Sequence, residues 1–288
     1  MIKILQPGDE ATLERFLLPR VDASMFLISN IRTAGLLDEG GRYQGTYAAA
    51  FDGDQIIGVV AHSWNQNLIF QAPIHAESLW RVAVDASQRP VKGVIGPGDQ
   101  VNSVIKSMPI EDANIQMDES EGLYNLALGD LIVPEALRCG EVTGRRIEHH
   151  DLEIVIEWRV AYSIEALGEN DTPQLHDRYR AAIERSLREK TTWVLEKEGK
   201  LVACSSFNSV IDEAVQVGGV WTPPEFRGRR YARCVVATSL LDAESQGVGK
   251  AILFTGNYNI PAQKASLAIG FKLIGDYRLT LFRSPLKI

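Results

Sequence analysis

At 288 residues, with 45% hydrophobic and 23% charged side chains, the chain has room for two domains or one large α/β domain and the composition of a folded globular protein. A formal net charge of -7 argues against nucleic acid as a partner, so any polyanion has to meet a local basic patch. Cys139, Cys204 and Cys234 form no CxxC pair and point to neither a disulfide framework nor a metal site; no run reaches the ~20 apolar residues of a membrane span, and the early acidic residues do not suit a signal peptide, so the expected place is the cytoplasm.

In chain order, residues 9–18 carry apolar positions at helical spacing after an acidic start and predict a short amphipathic helix. Residues 46–64 read as two strands joined by the turn Asp52-Gly53-Asp54, with a third strand over 67–73. A helix over 75–87, a short strand at 91–96 and a glycine-containing loop into another helix follow. A strand at 122–134, stopped by Pro134, closes this half, and the polar stretch 138–151 reads as a junction.

The second half repeats the same grammar. A helix on which Leu152, Val155, Ile156 and Val160 share one face precedes a second helix with Pro173 near its start. A hairpin over 191–207 follows, then a strand over 214–222, a helix over 230–246, a strand at 251–256, another helix and a last strand. Two copies of one α/β unit account for this, with domains expected at 1–139 and 140–288.

The chemistry concentrates in residues 217–236, VGGVWTPPEFRGRRYARCVV. Gly218 and Gly219 weaken a strand unless a bulge or a close backbone approach needs them. Pro223 and Pro224 stop the pairing, and the chain enters a loop with Arg227, Gly228, Arg229 and Arg230 that opens a helix at Tyr231, Ala232 and Arg233. A loop running into a helix N-terminus offers free N–H groups and the positive end of the helix dipole, an arrangement suited to phosphate.

These residues resemble the acetyl-CoA signature R/Q-x-x-G-x-G/A of the GCN5-related N-acetyltransferase (GNAT) superfamily, with Arg227 at the first position, Ala232 at the last, and Arg230 where glycine is usual. A right-handed backbone is expected at Arg230 for that reason. A second stretch, NIPAQKASLAIGF, resembles the family's N-x-x-A-x-x-x-Y-x-x-x-G-F through Asn259, Ala262, Gly270 and Phe271, with Ser266 in place of the tyrosine. The resemblance implies tandem GNAT-like α/β domains, each a mixed, mostly antiparallel sheet flanked by helices, the first half being a degenerate copy without the arginine loop.

It further implies acetyl transfer from acetyl-CoA to a primary amine of a small molecule, peptide or protein by direct attack, with no metal, no membrane and a monomer or homodimer. The strands at 217–222 and 251–256 would splay. Val220, Trp221 and Thr222 would then bind pantetheine, the Val220 N–H would face the tetrahedral oxyanion, and the N–H groups of 228–233 would hold pyrophosphate. Asn259 and Ala262 would support the pantetheine arm or the following helix. Ser266 stands where the family's proton donor would be, with Tyr258 and Tyr277 as alternatives, and Glu213 is the first choice of base ahead of Glu196 and Glu198. Because Ser266 is a poor acid, a non-catalytic acyl-CoA-binding sensor or scaffold is the alternative.

Overall fold

In the computed structural model, which describes residues 1–111 and 114–287, the chain runs through β1 (Ile2–Ile4), α1 (Glu10–Leu17), α2 (Val21–Ala34), β2 (Gly45–Asp52), β3 (Gln55–Ser63), β4 (Asn67–Gln71), α3 (Ala76–Ser87), β5 (Val91–Pro97), α4 (Gly98–Ser107) and β6 (Ile115–Ala127). It continues with α5 (Glu135–Arg138), β7 (Thr143–Arg146), α6 (Leu152–Leu167), α7 (Pro173–Glu189), β8 (Thr192–Lys197), β9 (Lys200–Val210), β10 (Ala214–Trp221), α8 (Tyr231–Ser245), β11 (Lys250–Gly256), α9 (Ile260–Leu267) and β12 (Lys272–Leu286). Residues 1–123 and 274–288 cluster as one compact unit, and residues 124–273 as a second.

In the first unit the strand order is β1-β2-β3-β4-β5-β12. Neighbours are antiparallel except β4 and β5, which run parallel from Asn67↔Gly93 to Ile69↔Ile95. Alternating apolar residues of β2, β4 and β5 pack with Leu79, Trp80 and Ala83 of α3 into a closed core. The second unit repeats this topology: β7, β8, β9 and β10 are successively antiparallel, and β10 runs parallel to β11. Hairpin, strand, helix, parallel strand is therefore written twice, as the repeated sequence grammar predicts. Each unit is a mixed, mostly antiparallel sheet flanked by helices, the fold class that the sequence resemblance implies.

Three features depart from the sequence reading. The strand expected to reach Pro134 ends at Ala127, and Pro134 instead precedes the short helix α5. The junction 138–151 contains β7, whose polar sequence suits an edge: Arg145 pairs with Asp151 at 2.6 Å and Arg146 with Asp242 at 2.6 Å, so its charges are satisfied beside β8. The break expected at 139/140 falls inside the second unit, and the final strand belongs with the first because β12 pairs with β5 from Tyr277↔Pro97 to Leu281↔Gly93.

Two helical layers cover opposite faces of the second unit's sheet. Tyr231, Cys234 and Val235 of α8 pack on Trp193, Ala203 and Val217. On the other face Val155, Ile156 and Trp158 of α6 pack on Val194, Cys204 and Trp221. Because successive strand residues alternate faces, one β8–β9–β10 sheet serves both cores. Among the described residues no helix is long and apolar enough to cross a membrane.

Candidate functional site

The glycine pair makes a gap in the sheet. β10 and β11 are paired only from Ala214↔Lys250 to Val217↔Leu253, although each strand continues, to Trp221 and to Gly256. On its other edge β10 slips against β9 between Gly218↔Ser206 and Trp221↔Cys204, so three steps on β10 oppose two on β9. That extra residue is a β-bulge, which turns the strand away from its parallel neighbour.

The two glycines differ: the backbone shape favours glycine at 219, whereas at 218 a Cβ would only push aside the exposed Asn208 side chain. Gly219 sits at φ +58°, and a Cβ there would collide with the Arg159 guanidinium; a Cβ at Gly218 would collide with the Asn208 side chain. The bulge places Gly219 and Val220 between registered pairs, as the reading of a kinked edge requires.

After Trp221 the two prolines turn the chain through a 3₁₀ turn, Pro224–Phe226, into the arginine loop. Gly228 has φ +76° with open space around it. Arg230 has φ 68° and ψ 17°, left-handed, which corrects the right-handed expectation: the arginine adopts the backbone shape that the signature's glycine would take, at a cost of roughly 1–2 kcal/mol for an L-residue. No side chain caps α8, so the N–H groups of its first turn have no side-chain partner at the N-cap. Arg229 and Arg230 are exposed beside them. Thr222 Oγ1 and Arg233 Nε are buried without a hydrogen-bond partner.

Uncapped donors, a positive helix end, two free-standing arginines and two orphaned polar atoms fit a diphosphate-bearing ligand whose arm runs along the gap.

Arg227 differs from its neighbours. Its guanidinium pairs with Glu165 of α6 at 2.9 Å, its Nε donates to the Thr222 carbonyl at 3.0 Å, and its plane lies 4.8 Å from the Trp221 ring centroid. It therefore braces the loop against α6. Trp221 is buried and meets Tyr162 edge-on at 6.2 Å, and the Tyr231 side chain belongs to the α8 core, leaving only their backbone groups for a ligand. Ala232 lies half-buried in the first turn of α8.

The second signature forms one hydrogen-bonded set. Asn259 Oδ1 accepts from the Ala262 N–H at 3.2 Å and so caps α9, while Ser266, 9% exposed, donates its hydroxyl to the Ala262 carbonyl at 2.9 Å. Glu213 lies in the turn before β10, exposed, seven positions before Val220. At the rise of an extended strand that is roughly 20 Å from the bulge, so the structure does not bring the two together.

Several contributors carry no motif. Arg159 of α6 reaches Gly219, Tyr162 meets Trp221, Glu165 pairs with Arg227, and Tyr179 of α7 lies against the Arg159 guanidinium. Their one sequence signal is an arginine placed between Trp158 and Val160, both buried. Cys204, fully buried on the same face, has its thiol pushed up to about 11 by burial, partly offset by the Arg159 charge. It stays protonated at neutral pH and is no nucleophile. Among the described residues no group of three or more His, Cys, Asp or Glu is disposed to hold a metal ion.

The first unit treats the equivalent place differently. At the end of β4 the Ala72 N–H donates to Gln100 Oε1 at 2.6 Å, and Gln71 Oε1 accepts from Ser24 at 3.1 Å. There the end of the strand is held by side chains of the same unit.

Residues 153–271 match the sequence profile of the Acetyltransferase (GNAT) family. No curated protein matches the chain. Among solved structures it is similar to a GCN5-related N-acetyltransferase from Sphaerobacter thermophilus, at TM-score 0.61 and 12% identity, over 99% of this chain and 96% of that one. A tandem GNAT protein from the clavulanic acid biosynthesis pathway aligns at TM-score 0.55 and 12% identity over 99% of each chain. A protein from Drosophila aligns at TM-score 0.65 and 14% identity over 97% of this chain and 98% of that one. Identities this low speak for the fold alone.

Proposed function

We propose that the second unit is an N-acetyltransferase that moves an acetyl group from acetyl-CoA to a primary amine by direct attack. The amine nitrogen bonds to the acyl carbon, the carbon–sulfur bond breaks, and coenzyme A leaves as its thiol. The observation that carries this reading is the parting of β10 from β11 after Val217 and Leu253, next to the uncapped entry of α8.

In this reading the backbone of Val220, Trp221 and Thr222 holds the pantetheine arm as an added strand. The N–H groups of 228–233, with Arg229 and Arg230, hold the pyrophosphate. The Val220 N–H faces the oxyanion, a kind of contribution worth ~3 kcal/mol where such donors have been removed. The protonated state of Cys204 favours direct attack over an acyl-cysteine route.

Ser266 spends its proton on the Ala262 carbonyl. The leaving thiolate, with an ordinary pKa of about 8.5, takes its proton from water instead. The distance along β10 argues against Glu213 as a direct base, so the acceptor's proton goes to solvent.

The engaged hydroxyl of Ser266 and the remoteness of Glu213 also favour a second reading, an acyl-CoA-binding sensor without turnover. Calorimetry with acetyl-CoA and thiol release across a panel of amines separate the two. Binding with thiol release supports the transferase, binding without release with any amine supports the sensor, and no heat with well-folded protein defeats both.

A further inference from the structure

Several arginines around the second unit's helices pair with a carboxylate, and Arg159 of α6, with one end of its guanidinium buried, does not. Arg145 pairs with Asp151, Arg178 with Glu169, Arg180 with Glu153 and Arg227 with Glu165. Arg159, on the same helix as Glu165, forms no ion pair with any described residue, and its Nη1 is buried without a hydrogen-bond partner. Its guanidinium lies 4.7 Å from the Tyr162 ring centroid and 5.4 Å from that of Tyr179, and its Nη1 lies so close to Gly219 that a Cβ there would displace it. Two aromatic faces steady the cation, yet they cannot replace the hydrogen bonds that a shielded guanidinium N–H loses.

The place of this charge is informative. The arginine loop that suits the coenzyme's phosphates opens α8, whose core is on one face of the sheet, whereas Arg159 belongs to α6 on the other. If the thioester reaches the bulge from the α8 side, the amine has to arrive from the α6 side, past Arg159. An unpaired, planar, forked donor at that point matches a carboxylate, whose two oxygens it can meet together.

We infer that the acceptor is an amine carrying a carboxylate near the nitrogen, of the free amino-acid class, held by Arg159 while its amine faces Gly219 and Val220. This rests on the acetyltransferase reading and narrows it. Arg159 binds and orients the acceptor, and bond making and breaking are as described above, with the amine proton passing to water.

The test compares acceptors that differ only in charge. Thiol release from acetyl-CoA is measured with amino acids and with the same amino acids as C-terminal amides, on the wild-type chain and on Arg159→Gln. The expected result is a kcat/KM about 100-fold higher for acids than for amides, falling to parity in Arg159→Gln while the Kd for CoA is unchanged. Equal rates for acids and amides in the wild-type chain overturn the inference and leave the transferase reading standing.

A second measurement needs neither turnover nor a variant that folds. With CoA present, N-acetyl amino acids should bind the wild-type chain at least tenfold more tightly than N-acetyl amino amides, and equal affinities overturn the inference. Absence of any heat with acetyl-CoA defeats the underlying reading instead.

Discussion

Gly219→Ala probes the bulge and its neighbour in one change. Gly219 has φ +58°, where an L-residue costs roughly 1–2 kcal/mol. The smaller unfolded-state entropy of alanine returns about 0.4–1 kcal/mol of that. The collision is with the flexible end of Arg159, so the guanidinium swings aside and adds little to the cost, but it leaves the two tyrosine rings. A net loss of about 1 kcal/mol corresponds to a fall of about 2–4 °C in melting temperature for a body of this size.

Gly199→Ala is the matched control: φ is +74° in the β8–β9 turn, with nothing within 4 Å of a Cβ. The two variants should melt within a few degrees of each other in scanning calorimetry, while only Gly219→Ala loses acetyl-CoA-dependent thiol release. If both keep full release, the bulge and the displaced guanidinium play no part in the chemistry and the reasoning fails.

Arg230→Gly should raise stability by about 0.5–1 kcal/mol by removing left-handed strain, visible as a higher urea midpoint, and should weaken CoA binding if that charge meets phosphate. Arg229→Ala should lower CoA affinity and the slope of affinity against salt without moving the melting temperature. Arg227→Ala should lower the melting temperature as well, because it frees Glu165 and the Trp221 face, although an exposed pair of this kind contributes only about 0–1 kcal/mol. For Glu121, burial first and the Glu119 charge second push its carboxyl up to about 7. The folded chain thus keeps a proton that the unfolded chain releases near pH 4.5, and the resulting stability is full below that pH and lost as pH rises through 7. The shift corresponds to roughly 3 kcal/mol at most. Glu121→Gln should be relatively more stable at pH 8 than at pH 5, measured as the difference in urea midpoints from the wild-type chain; a pH-independent difference contradicts the burial argument.

The candidate site was readable where the backbone itself is the functional group. Gly218, Gly219, the proline stop and the arginine loop announce a bulge and a helix entry because those conformations tolerate few residue types. Side-chain roles were far less readable. Arg227 and Arg229 look equivalent in the loop, yet one is tied to Glu165 and the other stands in solvent. Ser266 looks like a weakened acid but serves its own helix, and Glu213 looks near the glycine strand but lies at its far end. Arg159 had no motif at all. The left-handed Arg230 shows that the loop's closure, and not the residue's preference, sets the backbone there.

What the sequence determined by itself is the set of elements governed by neighbours in the chain: the hairpins with their Asp and Gly turns, the helices of 3.6-residue period, the repeat of one unit, and the loop that opens α8. The helix at Val21–Ala34 has apolar residues at helical spacing and is local, whereas tertiary structure alone decided that the last strand returns to β5 and that the polar stretch around Gly144 is the edge strand β7. It also decided which arginine is left unpaired beside the bulge. Local periodicity encodes which face of a segment is apolar, but not which distant surface will cover it. Pairings between residues far apart in the chain follow from the packing of whole layers.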